Sequence, residues 1–490
     1  MKKTFLILLL FCFFSYGQVA TGSNATIYVP TTTVTAASQG IVYDDLSFDN
    51  APILLSILRS IDSGTFDGVI FESGRTVNFE TVVSIDYTFQ NMSENSISNG
   101  ILTTDGSSLV TFFTDNDICQ ILTNVPGTGF QNFTFQNIKW EHGGTTITNC
   151  GNDNNRASLI IINHSDDGGT FNVYYDNNEF TATPGLYIDG ASGFSQAIGG
   201  IRDVTFKDCY FHELGRMLFE FFGQRYSDMP NYVPANHAYI NNLSIEGGIY
   251  EDGGTVDHLG ISIVQTTYNV VIKDITIRNA PAMLEVGVTR CLLQNITAEG
   301  TGDFLWLGGI YDNYDFPIYI QGDYVIDNVN VNVSGGLDFF GGARDVLIQN
   351  SKIETNQSWW SRNTYGTFEV RNSTLKLGYN TQAMFRQELD ISDWVFNNVE
   401  IEKKTNNNIF QNKSVVSMNC TNILLSGSET FSSAGYQSIN DTSTFLDGNF
   451  VQEFGDTGTD CGIIGYAASP TPTPPTSNII PKIIQLMYTF

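Results

Sequence analysis

The chain has 490 residues, with 51 acidic and 23 basic side chains and a net charge of −28. Such a surface repels nucleic acid and anionic membranes, so neither is an expected partner. Charged residues make up 15%, aromatics 13% and hydrophobics 41%, which excludes a disordered chain and suits a β-rich one.

The first stretch, MKKTFLILLLFCFFSYGQ, places two lysines before an apolar run, Thr4–Phe14, and a small-residue exit near Ser15–Gly17. This is the pattern of a secretory signal peptide over residues 1–18, too short to span a bilayer stably. The expected product is exported, soluble and monomeric. Cys119, Cys150, Cys209, Cys291, Cys420 and Cys461 remain, too widely spaced for CxxC metal sites. An oxidising compartment permits one or two disulfides among them.

Next comes IVYDDLSFDNAPILLSILRSI (41–61), with helical spacing at Ile53, Leu54, Ile57 and Leu58 and with Asp49 or Asn50 as N-cap. FDGVIFESGRTVNF then reads as a first coil. From there one pattern recurs: Asn or Asp, an alternating apolar run, Asn or Asp, and another run. Instances are FQNFTFQNIKW, IRDVTFKDCYF, YINNLSIEGG, YNVVIKDITI, RCLLQNITAEG, DYVIDNVNVNV, RDVLIQNSKIE, TFEVRNSTLKL and SDWVFNNVEIE. The second polar position falls at Asn137, Asp208, Asn242, Asp274, Asn295, Asn328, Asn350, Asn372 and Asn398. Short intervals are 21 or 22 residues (274 to 295, 328 to 350, 350 to 372).

Period-2 strands broken by single turn residues, repeating near 22 residues, predict an all-β, parallel β-helix of three strands per coil. Asn and Asp tolerate the left-handed turn and can bond their equivalents on neighbouring coils. The amphipathic helix would cap the open end. The β-helix is expected over 19–465, followed by a proline-rich linker (466–477) containing SPTPTPPTS and a short tail (478–490).

The helix, GVIFESGRTVNF and the Asn-punctuated coils resemble the pectin-lyase-like right-handed parallel β-helix superfamily, over roughly residues 25–465. That resemblance implies a right-handed solenoid of a kind that hosts polysaccharide lyases, glycoside hydrolases and phage tailspikes, so the fold leaves activity open.

With the repeat as register, RMLFEFFG (216–223), GISIVQTT (260–267), AMLEVGV (282–288) and DFLWLGGI (303–310) align. Inward positions are expected at Phe219, Phe221, Val264, Leu284 and Val286. Glu220, Gln265 and Glu285 would then point outward on consecutive coils, with Trp306 continuing the column. Glu220 and Glu285, two coils apart, would stand about 9 to 10 Å apart at the backbone. Inverting glycoside hydrolysis uses carboxyl groups roughly 6.5–9.5 Å apart, leaving room for a water. Three insertions leave the solenoid beside this column, at 223–237, 247–258 and 310–322. They carry Tyr226, Tyr232, Tyr250, Tyr311 and Tyr314 for stacking on sugars, with Arg225 and His258 as polar contacts.

The local pattern Gln265-Thr266 followed by Glu285 resembles the iota-carrageenases, inverting hydrolases on a β-helix. That resemblance implies Glu285 as the acid. The family's base, two residues later, is Gly287 here, so Glu220 or Asp257 would supply it.

Other readings stay open. β-Elimination needs a base and a cation, for which His212 or His258 with Arg216 or Arg225 are candidates. A non-catalytic glycan-binding or adhesion β-helix is a further alternative. No cofactor is expected; YDDLSFDN, GNDNN and HSDDGG could ligate Ca²⁺ but lack EF-hand spacing. Trp359-Trp360 reads as a sugar subsite or as packing. The expectation is a secreted hydrolase of an anionic, algal-type extracellular polysaccharide.

Overall fold

The computed structural model describes residues 19–86, 96–116, 120–124, 128–143, 158–163, 171–181, 185–189, 201–214, 217–222, 240–253, 260–280, 284–308, 322–339, 344–357, 359–362, 365–378, 383–388, 391–403, 408–411, 417–426 and 461–464. These residues form two compact units. One comprises Gly22–Val288 and Ile296–Leu305; the other comprises Met1–Thr21, Thr289–Asn295 and Trp306–Phe490.

The first unit is a parallel β-helix. Each coil lays one strand on each of three faces. On the first face, Ser96–Thr104, Gly129–Gln136, Phe171–Asp176, Ile201–Lys207 and Ile240–Glu246 pair in succession, all parallel. The second carries Val110–Thr114, Ile138–His142, Glu179–Thr181, Tyr210–His212, Ile249–Glu251 and Thr276–Arg278. The third carries Leu122–Asn124, Ser158–Asn163, Gly185–Asp189, Phe219–Phe222 and the start of Ile261–Lys273. The corner between the first two faces is one residue with positive φ: Asn137, Asn177, Asp208, Gly247 and Asp274 in turn. Asn tolerates this conformation and can also bond its equivalent on the next coil, as Asn177 Nδ2 does to Asn137 Oδ1 at 2.8 Å.

Asn242 does not belong to that row. The corner of its coil is Gly247, and Asn242 lies five residues earlier in a second positive-φ row formed by Asn132, Asn172, Asp203, Asn242 and Asn269. The five-residue spacing recurs at 132/137, 172/177, 203/208, 242/247 and 269/274. Asn269 Nδ2 donates to Asn242 Oδ1 at 2.6 Å, and Asn242 Nδ2 to Asp203 Oδ1 at 3.1 Å.

An extended arm crosses the first face along this second row. The backbone amides of Gly22, Ser23, Asn24, Thr26 and Tyr28 donate to Asn269, Ser244, Asp203, Asn172 and Thr134 side chains. Five coils at about 4.8 Å span nearly the reach of seven extended residues, so arm and stack match in length. The arm ends on Asp67, whose carboxylate accepts from Thr31 N, Thr32 N and Tyr28 OH. Burial opposes its charge, but these donors prevail and hold the carboxyl down at about 2.

The expected helix is present over Ala51–Asp62 and buries Leu54, Ile57, Leu58 and Ile61. Asn50 is its N-cap residue but gives no side-chain cap. Its amide instead bridges Val42 and Asn78, while Asp49 Oδ1 accepts from Ala51 N. Inside the solenoid, aromatic rings stack from coil to coil. Phe135, Tyr175 and Phe206 lie 5.0 and 4.5 Å apart, and Phe180, Phe211 and Tyr250 lie 4.4 and 5.1 Å apart. These spacings follow the distance between parallel strands, so one ring per coil fills the interior without strain. Tyr250, expected in a cleft wall, is one of these wholly buried rings.

The second unit repeats the plan. Gly322–Asp327, Arg344–Gln349 and the start of Tyr365–Leu377 pair in parallel, followed by Ile391–Lys403 and Ser417–Ser426. Its corners at Asn295, Asn328, Asn350, Asn372 and Asn398 have positive φ, as the repeat predicts. Cys209 and Cys291 are buried free thiols, and burial pushes Cys209 up to about 12. No helix among the described residues is long and apolar enough to cross a membrane.

Candidate functional site

The third face of the first unit holds the two carboxylates singled out by the sequence. Phe219 and Phe221 are wholly buried and pack on Phe206 and Phe211, so alternation turns Glu220 away from the core. Glu220 is nevertheless only 6% exposed. A carboxylate on the outer side of a solenoid strand is ordinarily solvated, so its burial sets Glu220 apart. The strand Phe219–Phe222 pairs with the start of Ile261–Lys273, and Ile261–Lys273 pairs in turn with Leu284–Gln294. The strands that carry Glu220 and Glu285 therefore flank a common neighbour and lie about 9 to 10 Å apart. Leu284 and Val286 are wholly buried, which gives position 285 the parity of position 220. The side chain of Glu285 lies outside the described residues.

On the strand between those of Glu220 and Glu285, the position level with Glu220 is Ser262; the side chain of Gln265 lies outside the described residues. The register sets Phe219 opposite Ile261, Glu220 opposite Ser262, Phe221 opposite Ile263 and Phe222 opposite Val264. Ile261 and Ile263 are both wholly buried. The inward residues at the start of this strand are thus the isoleucines, with Ser262 between them. A single step exchanges the two faces of a strand, and the sequence alignment set Gln265, not Ser262, beside Glu220. Ser262, 1% exposed, is the residue that adjoins Glu220, with Tyr187 opposite Glu220 on the other side. Sequence reasoning passed over Ser262. Its position between two isoleucines at period 2 was the available signal.

Trp306 lies in the second unit, half-buried on the short strand Leu305–Leu307. Tyr226, Tyr232, Tyr311, Tyr314, Arg225, His258, Arg216 and Asp257 lie outside the described residues.

His212 is on the second face, at the end of the strand Tyr210–His212, so the fold separates it from Glu220. Its ring stacks on Tyr210 at 4.1 Å, and its Nε2 lies 3.1 Å from Glu179 Oε1. Lys139 Nζ is 3.4 Å from the same oxygen and 3.0 Å from Glu141. Higher in the stack Tyr210 OH donates to Glu251, and Arg278 bridges Glu251 and Glu299 at 3.4 and 2.9 Å. The hydrogen bond from His212 holds Glu179 below the usual carboxylate range. Desolvation, then the bond to Glu251, pushes Tyr210 up to about 12. Lys139 and Glu179, and Arg278 with Glu251 and Glu299, pair across adjacent coils, the arrangement of a stabilising ladder. The sequence signal was the ionisable third residue of successive strands: His212, Glu251 and Arg278.

Among the described residues no group of three or more His, Cys, Asp or Glu side chains is placed to hold a metal. In YDDLSFDN, Asp44 pairs with Arg75 at 2.8 Å, Asp45 with Ser47, and Asp49 with Thr81, so the three carboxylates serve separate local donors. GNDNN and HSDDGG lie outside the described residues.

No protein-family model matches the chain, and no curated protein matches its sequence. Its structure is similar to the A-module of mannuronan C-5 epimerase AlgE4 from Azotobacter vinelandii, with a TM-score of 0.51 at 12% identity. That match covers 80% of this chain and 100% of the other. The Streptococcus pneumoniae surface adhesin PfbA matches with a TM-score of 0.48 at 12% identity, covering 80% of this chain and 91% of that one. Tailspike protein 3 of bacteriophage CBA120 matches at 0.44 and 8%, covering 80% and 57%. The parallel β-helix is the shared feature.

Proposed function

We propose that this chain is a secreted hydrolase of an anionic, algal-type polysaccharide, working by inversion at the third face of the first unit. The observation that carries this reading is the placement of Glu220. It is a carboxylate turned from the core yet nearly inaccessible, on a strand one coil removed from the neighbour it shares with Glu285. A two-coil backbone separation fits the roughly 6.5–9.5 Å between carboxyls that leaves space for the attacking water. Glu285, as the acid, protonates the glycosidic oxygen while the bond from that oxygen to the anomeric carbon breaks. Glu220, as the base, takes a proton from the water whose oxygen attacks the opposite side of that carbon. Solvent then returns a proton to Glu285 and removes one from Glu220. Ser262, beside Glu220, takes the orienting role expected of Gln265. The AlgE4 module, a mannuronan epimerase by its name, supports a polysaccharide as the substrate class.

A panel of polysaccharides, followed for new reducing ends and for the ultraviolet absorbance of an unsaturated product, tests the reading. Hydrolysis gives reducing ends without that absorbance; the appearance of both assigns the chain to elimination instead. Glu285→Gln and Glu220→Gln are each expected to lower kcat by about 10²-fold or more. Full turnover in Glu285→Gln removes the proposed acid.

A further inference from the structure

Each residue of the second positive-φ row on the first unit is preceded by one that the hydrolytic reading leaves unused. The register sets Gln131, Phe171, Arg202, Asn241 and Tyr268 opposite one another on successive coils. Phe130, Ile201, Ile240 and Thr267, one position earlier, are buried, so alternation turns the row away from the core. Gln131, Phe171, Arg202 and Tyr268 are half-buried, and Asn241 is 9% exposed. The Arg202 guanidinium carbon lies 4.4 Å from the centre of the Phe171 ring, a contact that holds the cation without using its donors. Arg202 Nε is buried and has no hydrogen-bond partner, and no carboxylate among the described residues is within ion-pair distance of the side chain. Lys139, Lys207, Lys273 and Arg278 of the same unit each meet a carboxylate. A half-buried cation held on a ring and left unpaired, in a chain of net charge −28, is a place for an external anion.

We propose that Phe171, Arg202, Asn241 and Tyr268 form a binding strip on the first face for a polysaccharide bearing carboxylate or sulfate groups, with Arg202 as the anion contact. The planar guanidinium fork matches either group. Coils rise by about 4.8 Å, so the strip spans roughly 14 Å from Phe171 to Tyr268, enough for about three sugar rings. Tyr268, two coils from Arg202, offers its ring to the C–H face of one pyranose. The Asn241 amide, on the coil between them, supplies a donor and an acceptor for hydroxyls. The extended arm gives the strip a fixed edge, because its amides are bonded to the adjacent positions Asn172, Asp203 and Asn269. The inference takes its polymer class from the preceding reading but uses neither Glu220 nor Glu285; the strip binds without cleaving.

The test is affinity electrophoresis of the full-length protein through gels containing alginate, iota-carrageenan or neutral laminarin. The net charge of −28 opposes loose adsorption to an anionic polymer, so retardation there reports a local site. At least one of the two anionic gels is expected to retard the wild type, and laminarin much less. Arg202→Gln should weaken that retardation about tenfold in apparent affinity, and Arg202→Lys should keep part of it. Tyr268→Ala should weaken it as well, and serves as the readout if Arg202→Gln does not fold. Wild-type mobility unchanged in both anionic gels overturns the proposal, as does equal retardation by laminarin. Full retardation of whichever of Arg202→Gln and Tyr268→Ala folds overturns it too. Glu285→Gln is expected to bind as the wild type does. A chain that binds through Arg202 without cleaving therefore fails the hydrolytic reading alone, and one that cleaves without Arg202-dependent retardation fails the strip alone.

Discussion

Glu179 receives its strongest support from His212, at 3.1 Å, and its carboxyl is held below its ordinary value of 4.5. A depressed carboxylate binds fewer protons folded than unfolded, so it contributes stability above its ordinary pKa. That contribution disappears as pH falls through the lower, folded value. His212→Ala is therefore expected to lower the melting temperature near pH 6 by the equivalent of about 0.5–1 kcal/mol, with the difference shrinking below pH 4.5. Melts across that range check the sign. A second residue-scale outcome concerns Gly248, at φ 88°, where an added Cβ would lie 2.0 Å from the backbone oxygen of Cys209. Gly248→Ala is expected to cost about 2–4 kcal/mol in chemical denaturation, because neither strain nor overlap can relax against backbone. At this scale the sequence was ambiguous where ISIVQTT offered two alternations. Val264 and the isoleucines are equally apolar, and only the partner Phe219–Phe222 decides between them. The outward parity of Glu220 was legible because Phe219 and Phe221 flank it.

The extended arm is an element with no hydrophobic periodicity, and nothing in GSNATIYVP announces where it lies. Its attachment is polar and spread over several coils, a pattern that local propensity cannot reveal. Gly22, at φ 68°, has room for no side chain, since a Cβ there would be 2.3 Å from Ser244 Oγ. Gly22→Ala is expected to detach the arm's first link and lower the melting temperature by a few degrees; amide exchange should rise at residues 22–28 and not in the core strands. The helix, in contrast, was readable from its apolar spacing, and the corner row from its Asn and Asp residues. Asn242 was misplaced because Gly247 fills its coil's corner, and glycine reaches positive φ without a polar signature. Peptide mapping without reductant is expected to recover Cys209 and Cys291 as unlinked thiols.

At the scale of the molecule, repetition made the architecture readable. A pattern that recurs nine times outweighs any single ambiguous strand, which is why the solenoid emerged while one column of its third face did not. The insertions between the second and third faces and beyond have no repeat to align, so the sequence gives their composition and not their placement. The charge of −28 and a sequence pI of about 4.3 belong to the whole chain as well. Turbidity is expected to peak near pH 4.3 and to clear on either side as self-repulsion returns.

Within the first unit the two positive-φ rows stay five positions apart in every coil from 132/137 to 269/274. Variation in coil length therefore falls outside this step. The rest of the winding can acquire or shed segments by whole loops while the first face remains an invariant spine. New recognition surfaces can arise there by insertion, with no rung of the spine needing to be rebuilt.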